Sequence, residues 1–370
     1  VAEAAAAARS LRVRGGGTKD YLGDLLPTDA ILDTTALAGV MAHVPSDLTV
    51  TVAAGTRFSQ LRMDLERAGQ FLPLDPPHAD GATIGGIVAA NTAGFWRSRY
   101  GAVRDLLIGT TTVLGDGTIA RSGGRVVKNV AGYDLNKLLV GSLGTLGVVV
   151  ECTLKVIPRP AVTAGAAAQF ARGAEAFAAA DAIVRTPARP AAVAVSGRPG
   201  APWELVLQAD GDAAPVERTL ELLSQSARTH GTTAQRRDDV PTMLATLNDI
   251  SGVASGTVVR AALPLAAQSA FATTAARLEG FAQLVADAAS GIVRVELTGE
   301  DAVALDGAET LLVAAKVCGG SARIERRPES LRSRARAWAD TEPAGRFLMR
   351  RLKDAFDPRG ILEPGRSAAG

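Results

Sequence analysis

Three consecutive glycines, Gly15, Gly16 and Gly17, follow Arg14 and precede Thr18 and Lys19, with Gly23 shortly after. Residues without a Cβ let successive backbone N–H groups turn toward one point, and a hollow lined by such donors holds an anion. The Thr18 hydroxyl adds a donor. Leu11 to Arg14, just ahead, reads as a short strand, the placement that a phosphate-cradling turn needs. The spacing is neither that of a P-loop nor Gly-x-Gly-x-x-Gly, and a plain glycine turn explains the same residues equally well. A second stretch, Ala82-Thr83-Ile84-Gly85-Gly86-Ile87-Val88-Ala89-Ala90-Asn91-Thr92-Ala93-Gly94, carries no charge and few bulky groups, so it can lie against a flat ligand. A third, Gly141-Ser142-Leu143-Gly144-Thr145-Leu146-Gly147, repeats glycine every third residue before an apolar run; tight strand packing accounts for it as well.

Groups able to move a proton are few. His43 reads as a loop residue, His230 as a solvated cation at a helix C-terminus, and His78, within Pro76-Pro77-His78-Ala79-Asp80, as the one histidine near a glycine segment, yet without an orienting partner in the sequence. Asp75, between prolines, and Asp134, ahead of a helical run, read first as turn and helix caps. The arginines from Arg323 to Arg336 could take a carboxylate, but charge runs are usually solvated faces. Cys152 and Cys318 are far apart and cannot supply a cluster's ligands, so any iron–sulfur centre belongs to a partner.

The elements that would position these residues fall into three parts. Residues 1–158 contain strand signals at Ala30 to Asp33 and Leu48 to Val52, a helix over Phe58 to Ala68, a hairpin at Gly115-Asp116-Gly117 between Leu106 to Leu114 and Thr118 to Arg121, a short helix over Leu135 to Val140, and a buried strand from Gly147 to Val156. Pro158-Arg159-Pro160 marks a boundary. Residues 159–328 alternate strands (Thr163 to Phe170, Ala191 to Ser196, Trp203 to Ala209, Gly256 to Leu263, Val293 to Leu297, Ala322 to Arg326) with helices (Gly173 to Arg185, Pro215 to His230, Ala266 to Leu284, Asp301 to Val317). Two split βαβ units of this kind make an antiparallel sheet with helices on one face, a ferredoxin-like α+β lobe. Residues 329–370 are charged and helical and are expected to return to the first domain.

Length and charge narrow the function classes. A chain of 370 residues exceeds one ordinary core, and its formal charge of +2 comes from scattered, balanced ions, which argues against nucleic acid. The most apolar stretch, Leu138 to Val150, is shorter than the roughly 20 residues a membrane span needs. Without a signal-peptide layout, and with two unpaired thiols, the expected location is the cytoplasm, with membrane contact only peripheral, at the inner membrane through partners.

Taken together, Gly-Gly-Gly-Thr-Lys, Thr-Ile-Gly-Gly with Asn and Gly following, Tyr100-Gly101, Gly115-Asp116-Gly117 and the closing Gly-Thr-Leu-Gly resemble, from Leu11 to Pro160, the flavin-binding domain of the vanillyl-alcohol-oxidase or p-cresol-methylhydroxylase type. Val127-Lys128-Asn129-Val130-Ala131-Gly132-Tyr133-Asp134-Leu135 and Phe356-Asp357-Pro358-Arg359-Gly360-Ile361-Leu362-Glu363-Pro364-Gly365-Arg366 extend the resemblance over the whole chain, toward the flavin subunits of bacterial glycolate oxidases. The resemblance implies an α+β fold with a flavin domain of two α/β subdomains, non-covalent FAD, and pyrophosphate held by Arg14 to Lys19 and Thr83 to Gly86. Asn91, Gly94 and Gly141, Ser142, Gly144, Thr145, Gly147 and Val148 would line the flavin, with Asp75, Pro76, Tyr100 and Gly101 completing the cofactor set. It also implies a larger catalytic flavin subunit and an iron–sulfur subunit as partners, and a small 2-hydroxy acid as substrate.

Four departures accompany it. The chain starts late relative to the pattern, so one edge of the flavin domain is expected to be missing. Leu143 stands where larger relatives carry Glu, and Glu363 where Asn is common. The histidine motif that takes the hydroxyl proton in substrate-oxidising relatives is absent. Three functions remain open on the sequence: an FAD-binding subunit in glycolate oxidation, a stand-alone dehydrogenase of glycolate or D-lactate, and a scaffold without cofactor.

Overall fold

The computed structural model describes residues 1–24, 26–124, 134–253, 255–332 and 343–366. They form two compact units: one from the described parts of 1–93, 101–159 and 338–370, the other from 94–100 and the described parts of 160–337. The seven-residue assignment of 94–100 to the second unit has no counterpart in the sequence pattern.

In the first unit, strand β1 (Leu11–Arg14) pairs in parallel with β2 (Ala30–Asp33). Next come β3 (Val40–Val44), β4 (Thr49–Ala53), the two-residue β5 (Gln70–Phe71), β6 (Leu107–Val113), β7 (Ile119–Gly123), β8 (Val148–Lys155) and the two-residue β9 (Ile157–Pro158). An antiparallel sheet runs β3-β4-β8-β6-β7. The β-branched run Thr49-Val50-Thr51-Val52 is buried throughout, as suits a strand covered on both faces. Across it, the Thr51 and Thr153 hydroxyls hydrogen-bond at 3.0 Å. Leu114 and Thr118 close the hairpin around Gly117, at φ +92°, and Asp116 accepts from the Thr118 amide at 2.8 Å.

The small-residue stretch after Ala82 forms the helix Ile84–Ala90, with the Thr83 hydroxyl accepting from the Gly86 amide at its start and Asn91 in the left-handed conformation at its end. Small residues let this helix lie close to its neighbour: a Cβ on Gly85 would meet the Ala54 Cβ at 2.8 Å.

The second unit is built on eight strands: β10 (Val162–Phe170), β11 (Ala192–Gly197), β12 (Trp203–Gly211), β13 (Ala234–Arg236), β14 (Thr257–Ala262), β15 (Phe281–Asp287), β16 (Ile292–Leu297) and β17 (Ser321–Arg326). Their order, β13-β10-β12-β11-β15-β16-β14-β17, is two β-α-β-β-α-β repeats joined edge to edge through the antiparallel β11–β15 pair. Alternate residues such as Val193, Val195, Leu205, Leu207, Leu284 and Val295 bury one face under the helices Gly173–Val184, Ala213–Thr229, Gln268–Ala275 and Asp301–Val317. Two expectations need correction. The stretch 266–284 is not one helix: the helix stops at Ala275, a turn follows that closes on Gly280 at φ +77°, and the chain from Phe281 enters the sheet as β15. Nor are helices confined to one face: Ala192, Ala194, Val206 and Val285 of the opposite parity are covered by Val240, Leu244 and Leu247 of the helix Val240–Asn248, and by Phe95.

The C-terminal helix Pro343–Phe356 ends on Asp357, whose side chain is fully buried. Lys353 Nζ donates to Asp357 Oδ2 (2.6 Å), to the Thr145 carbonyl (2.9 Å) and to the Leu362 carbonyl (2.7 Å), while the Asp357 carboxylate accepts from the amides of Ile361 and Leu362. So fastened, the tail lies beside β1: the Leu11 amide donates to the Ile361 carbonyl and the Glu363 amide to the Leu11 carbonyl. Asp357→Ala strips the buried ammonium of its counter-charge and frees two amides, and is expected to cost about 3 to 5 kcal/mol in chemical denaturation; a loss below about 1 kcal/mol would show that this clamp is dispensable.

Candidate functional site

The end of β1 opens into a solvent-open cleft lined by Val13 to Asp20, Thr34, Thr83, Gly85, Gly86, Ala89, Ala90, Leu143, Gly144, Gly147, Val149 and Arg366. Two of its glycines leave no room for a side chain. A Cβ on Gly15 would collide with the Thr83 hydroxyl, and one on Gly16 with the Gly81 carbonyl oxygen. With both glycines bare, the loop and the start of the Ile84–Ala90 helix form opposite lips of one hollow.

Hydrogen-bond accounting separates the two lips. Ile84 donates its amide to the Thr56 carbonyl, Gly85 to that of Ala54 at 2.7 Å, and Gly86 to the Thr83 hydroxyl, so these amides are already satisfied by protein. In contrast, among the described residues the amides of Gly15, Gly16, Gly17 and Thr18 donate to no protein acceptor. Four successive donors lining a hollow form an anion nest. Lys19 is buried, with its ammonium donating to the Pro77 carbonyl (2.7 Å) and the Thr18 hydroxyl (3.0 Å), and Arg14 pairs with Asp20 at 3.1 Å.

Of the residues singled out from sequence, Arg14, Gly15, Gly16, Gly17, Thr18, Lys19, Thr83, Gly85, Gly86, Gly144 and Gly147 line this cleft. Ile84 is buried in the apolar core instead. Asp75, Pro76, Asn91, Gly101, Gly141, Ser142, Thr145 and Val148 are not among the lining residues; Asn91 caps its helix against Gly141, and the Thr145 hydroxyl donates to the Ser142 carbonyl at 2.7 Å. Gly94 and Tyr100 belong to the second unit, where the Tyr100 hydroxyl donates to Asp210 at 2.8 Å; burial, then the Asp210 charge, pushes that phenol well up. The stretch Val127 to Tyr133 lies outside the described residues.

Sequence reasoning missed Leu143 and Arg366 as cleft walls. Leu143 adopts φ +53°, and its amide donates to the Ala89 carbonyl at 2.8 Å. Arg366 is 7% exposed although nothing local in the sequence marks it as buried. None of the three histidines lines the cleft. His43 Nε2 contacts Gln70 Oε1 at 2.8 Å, His78 turns the chain at φ +53°, and His230 ends a helix against the Phe170 ring. Asp134 stands at the N-cap position without a capping bond and pairs instead with Lys137 at 3.1 Å.

Three arginines of the second unit converge on one buried acid. Buried Glu325 draws Arg294 (2.7 Å), Arg323 (3.6 Å) and Arg260 (3.7 Å), and accepts from the Ser251 hydroxyl at 2.6 Å. Burial alone would raise its pKa, but the three guanidinium groups and the hydroxyl outweigh it and hold the carboxyl down at about 2. Arg334 and Arg336 lie outside the described residues.

Residues 1–123 match the family described as "FAD binding domain". The chain is 44% identical over 151 residues to glycolate oxidase subunit GlcE of Escherichia coli (strain K12), covering 40% of this chain and 43% of that one. It is 39% identical over 153 residues to the mitochondrial D-lactate dehydrogenase [cytochrome] of Arabidopsis thaliana, covering 40% of this chain and 27% of that one. The aligned segments thus span less than half the length of these relatives. Crystalline p-cresol methylhydroxylase with substrate bound superposes with a TM-score of 0.76 at 16% identity, over 99% of this chain and 85% of that one, which establishes a shared fold.

A carboxylate held below its unfolded value contributes stability that is complete above pH 4.5 and lost as pH falls toward 2. Glu325→Gln is therefore expected to destabilise the protein at pH 7, with the gap to wild type narrowing between pH 4.5 and 2 in urea denaturation; a gap independent of pH would remove the electrostatic explanation.

Proposed function

We propose that this chain, whose residues 1–123 match the family described as "FAD binding domain", binds FAD non-covalently in the β1 cleft and serves as the FAD-binding subunit of a complex that oxidises glycolate, or a closely related 2-hydroxy acid, to the 2-oxo acid. The observation that carries the cofactor reading is the row of four amides, Gly15 to Thr18, that donate to no protein acceptor among the described residues and line a hollow edged by the buried cation Arg366. Such a nest fits the diphosphate bridge of a dinucleotide. The residues proposed to hold it are Gly15, Gly16, Gly17 and Thr18 through their backbone. Thr83, Gly85 and Gly86 form the facing wall rather than a second set of donors. Gly144, Gly147, Leu143, Ala89 and Ala90 offer a small-residue surface for the rest of the cofactor.

When bound, FAD supplies a two-electron acceptor for the hydrogen on the alcohol carbon. This chain supplies position and charge. Oxidising the alcohol also requires a base for the hydroxyl proton, and no histidine lines the cleft. The proposal accordingly places that base on a larger catalytic flavin subunit, as the likeness to a glycolate oxidase subunit supports. Two cysteines, one of them buried with its thiol pushed up to about 12, cannot ligate a cluster, so onward electron transfer is assigned to an iron–sulfur partner. Among the described residues no helix is long and apolar enough to cross a membrane; the proposed site of action is the cytoplasm, with membrane contact through partners. The likeness to D-lactate dehydrogenase supports a second reading, direct oxidation by this chain alone.

The purified chain is expected to take up one FAD and show the flavin absorption band, and Gly16→Val, whose side chain must displace the Gly81 carbonyl, is expected to lose it while far-UV circular dichroism is kept. Failure of the wild type to bind FAD would overturn the proposal. Anaerobic addition of glycolate or D-lactate to the loaded chain separates the two readings: no bleaching supports the subunit role, and rapid bleaching supports direct oxidation.

A further inference from the structure

The C-terminal tail brings a charge to the glycine loop that the loop's own sequence does not contain. Leu362 bridges to Leu11, and Glu363, next in the chain, is turned to φ +48° so that its side chain re-enters the fold. Glu363 Oε1 accepts from the Val13 amide at 2.7 Å, in the position a neighbouring strand's carbonyl would fill. Its other oxygen lies 3.5 Å from Arg366 Nε, which is buried and makes no hydrogen bond. The remaining contacts of that guanidinium are long: 3.4 Å from Nη2 to the Lys19 carbonyl and 3.7 Å to Asp20 Oδ1, a carboxylate already paired with Arg14. Five N–H donors are therefore held beside the cleft with one weak hydrogen bond among them.

A buried cation so poorly bonded is costly unless something else completes its shell. Here the unsatisfied donors of Arg366 and the amides of Gly15 to Thr18 line the same hollow. A guanidinium is planar and forked, which matches two phosphoryl oxygens better than a point charge does. We propose that Arg366 is a diphosphate-binding residue of this cleft, delivered by the C-terminal tail, and that Glu363 is the positioning residue that holds it there. This rests on the reading that the cleft takes a dinucleotide. The ligand chemistry is a pair of linked phosphates, so the interaction extends to ADP, which has the diphosphate without the flavin.

The test measures dissociation constants of FAD by fluorescence quenching, with ADP as competitor, at two salt concentrations, on wild type, Glu363→Gln, Arg366→Met and the double variant. Glu363→Gln keeps an acceptor for the Val13 amide but gives up the charge that holds Arg366, and should weaken FAD and ADP by less than Arg366→Met does. Arg366→Met should weaken both FAD and ADP by roughly 10- to 100-fold, and reduce the salt dependence of both. Removing Arg366 alone also leaves Glu363 buried without its counter-charge, so the double variant, which removes both charges, is decisive. Affinity still reduced 10-fold or more in the double variant supports direct contact with the diphosphate. Affinity restored to the wild-type value there overturns it, and reduces Arg366 to a structural partner of Glu363. If wild type itself binds neither FAD nor ADP, the dinucleotide reading fails together with this inference.

Discussion

The loop Gly15 to Thr18 presents four successive backbone amides that donate to no protein atom among the described residues; Gly16 is exposed and the other three are half-buried, so an arriving anion competes there only with water. This row of open donors sets the character of the first unit. It explains why Gly15 and Gly16 lack side chains: the loop can approach the Thr83 lip only as bare backbone. Backbone alone would favour an anion there, since oriented N–H dipoles favour negative charge wherever they converge.

The loop does not hold its own shape. It is the continuation of β1, a four-residue strand with β2 on one side and the C-terminal tail on the other. The tail is fixed by the buried Lys353–Asp357 pair, which ties it both to itself and to the Thr145 carbonyl beside the third glycine segment. Residues more than three hundred positions apart thereby share one strand edge, and the side-chain carboxylate of Glu363 substitutes for a ladder carbonyl at Val13. The second unit obeys a different logic. One face of its duplicated sheet is packed with apolar side chains, and at Glu325 three arginines and a serine enclose a buried charge, which accounts for those arginines without invoking a ligand.

Much of this was legible in the sequence where the cause is local. β1, the Gly117 hairpin, the helices over Phe58–Glu66, Gly173–Val184 and Ala213–Thr229, and the strands of the duplicated lobe follow from periodicity and glycine placement. The row of open amides at Gly15 to Thr18, proposed above to take an anion, follows from the same glycine placement. Three things were not. The Ile84–Ala90 helix is hidden because two glycines early in it weaken the helical signal, and its stability comes from packing on Ala54. The strand Phe281–Asp287 is hidden behind a preceding helix whose pattern runs into it, with Gly280 the only break. Arg366 and Glu363 are hidden because their burial is decided by a partner strand at the other end of the chain, which no local window contains. The resemblance to flavin subunits carried cofactor identity further than spacing alone, but it assigned diphosphate contacts to Thr83–Gly86, whose described amides at 84 to 86 are met by protein.

Residue-resolved amide hydrogen exchange, with and without FAD, tests the central claim most directly. The amides of Gly15, Gly16, Gly17 and Thr18 should exchange rapidly in the apo-protein and become protected when FAD is added, while Gly85, bonded to Ala54, should be protected in both states. Protection of residues 15 to 18 without cofactor, or continued rapid exchange there at saturating FAD, would contradict it.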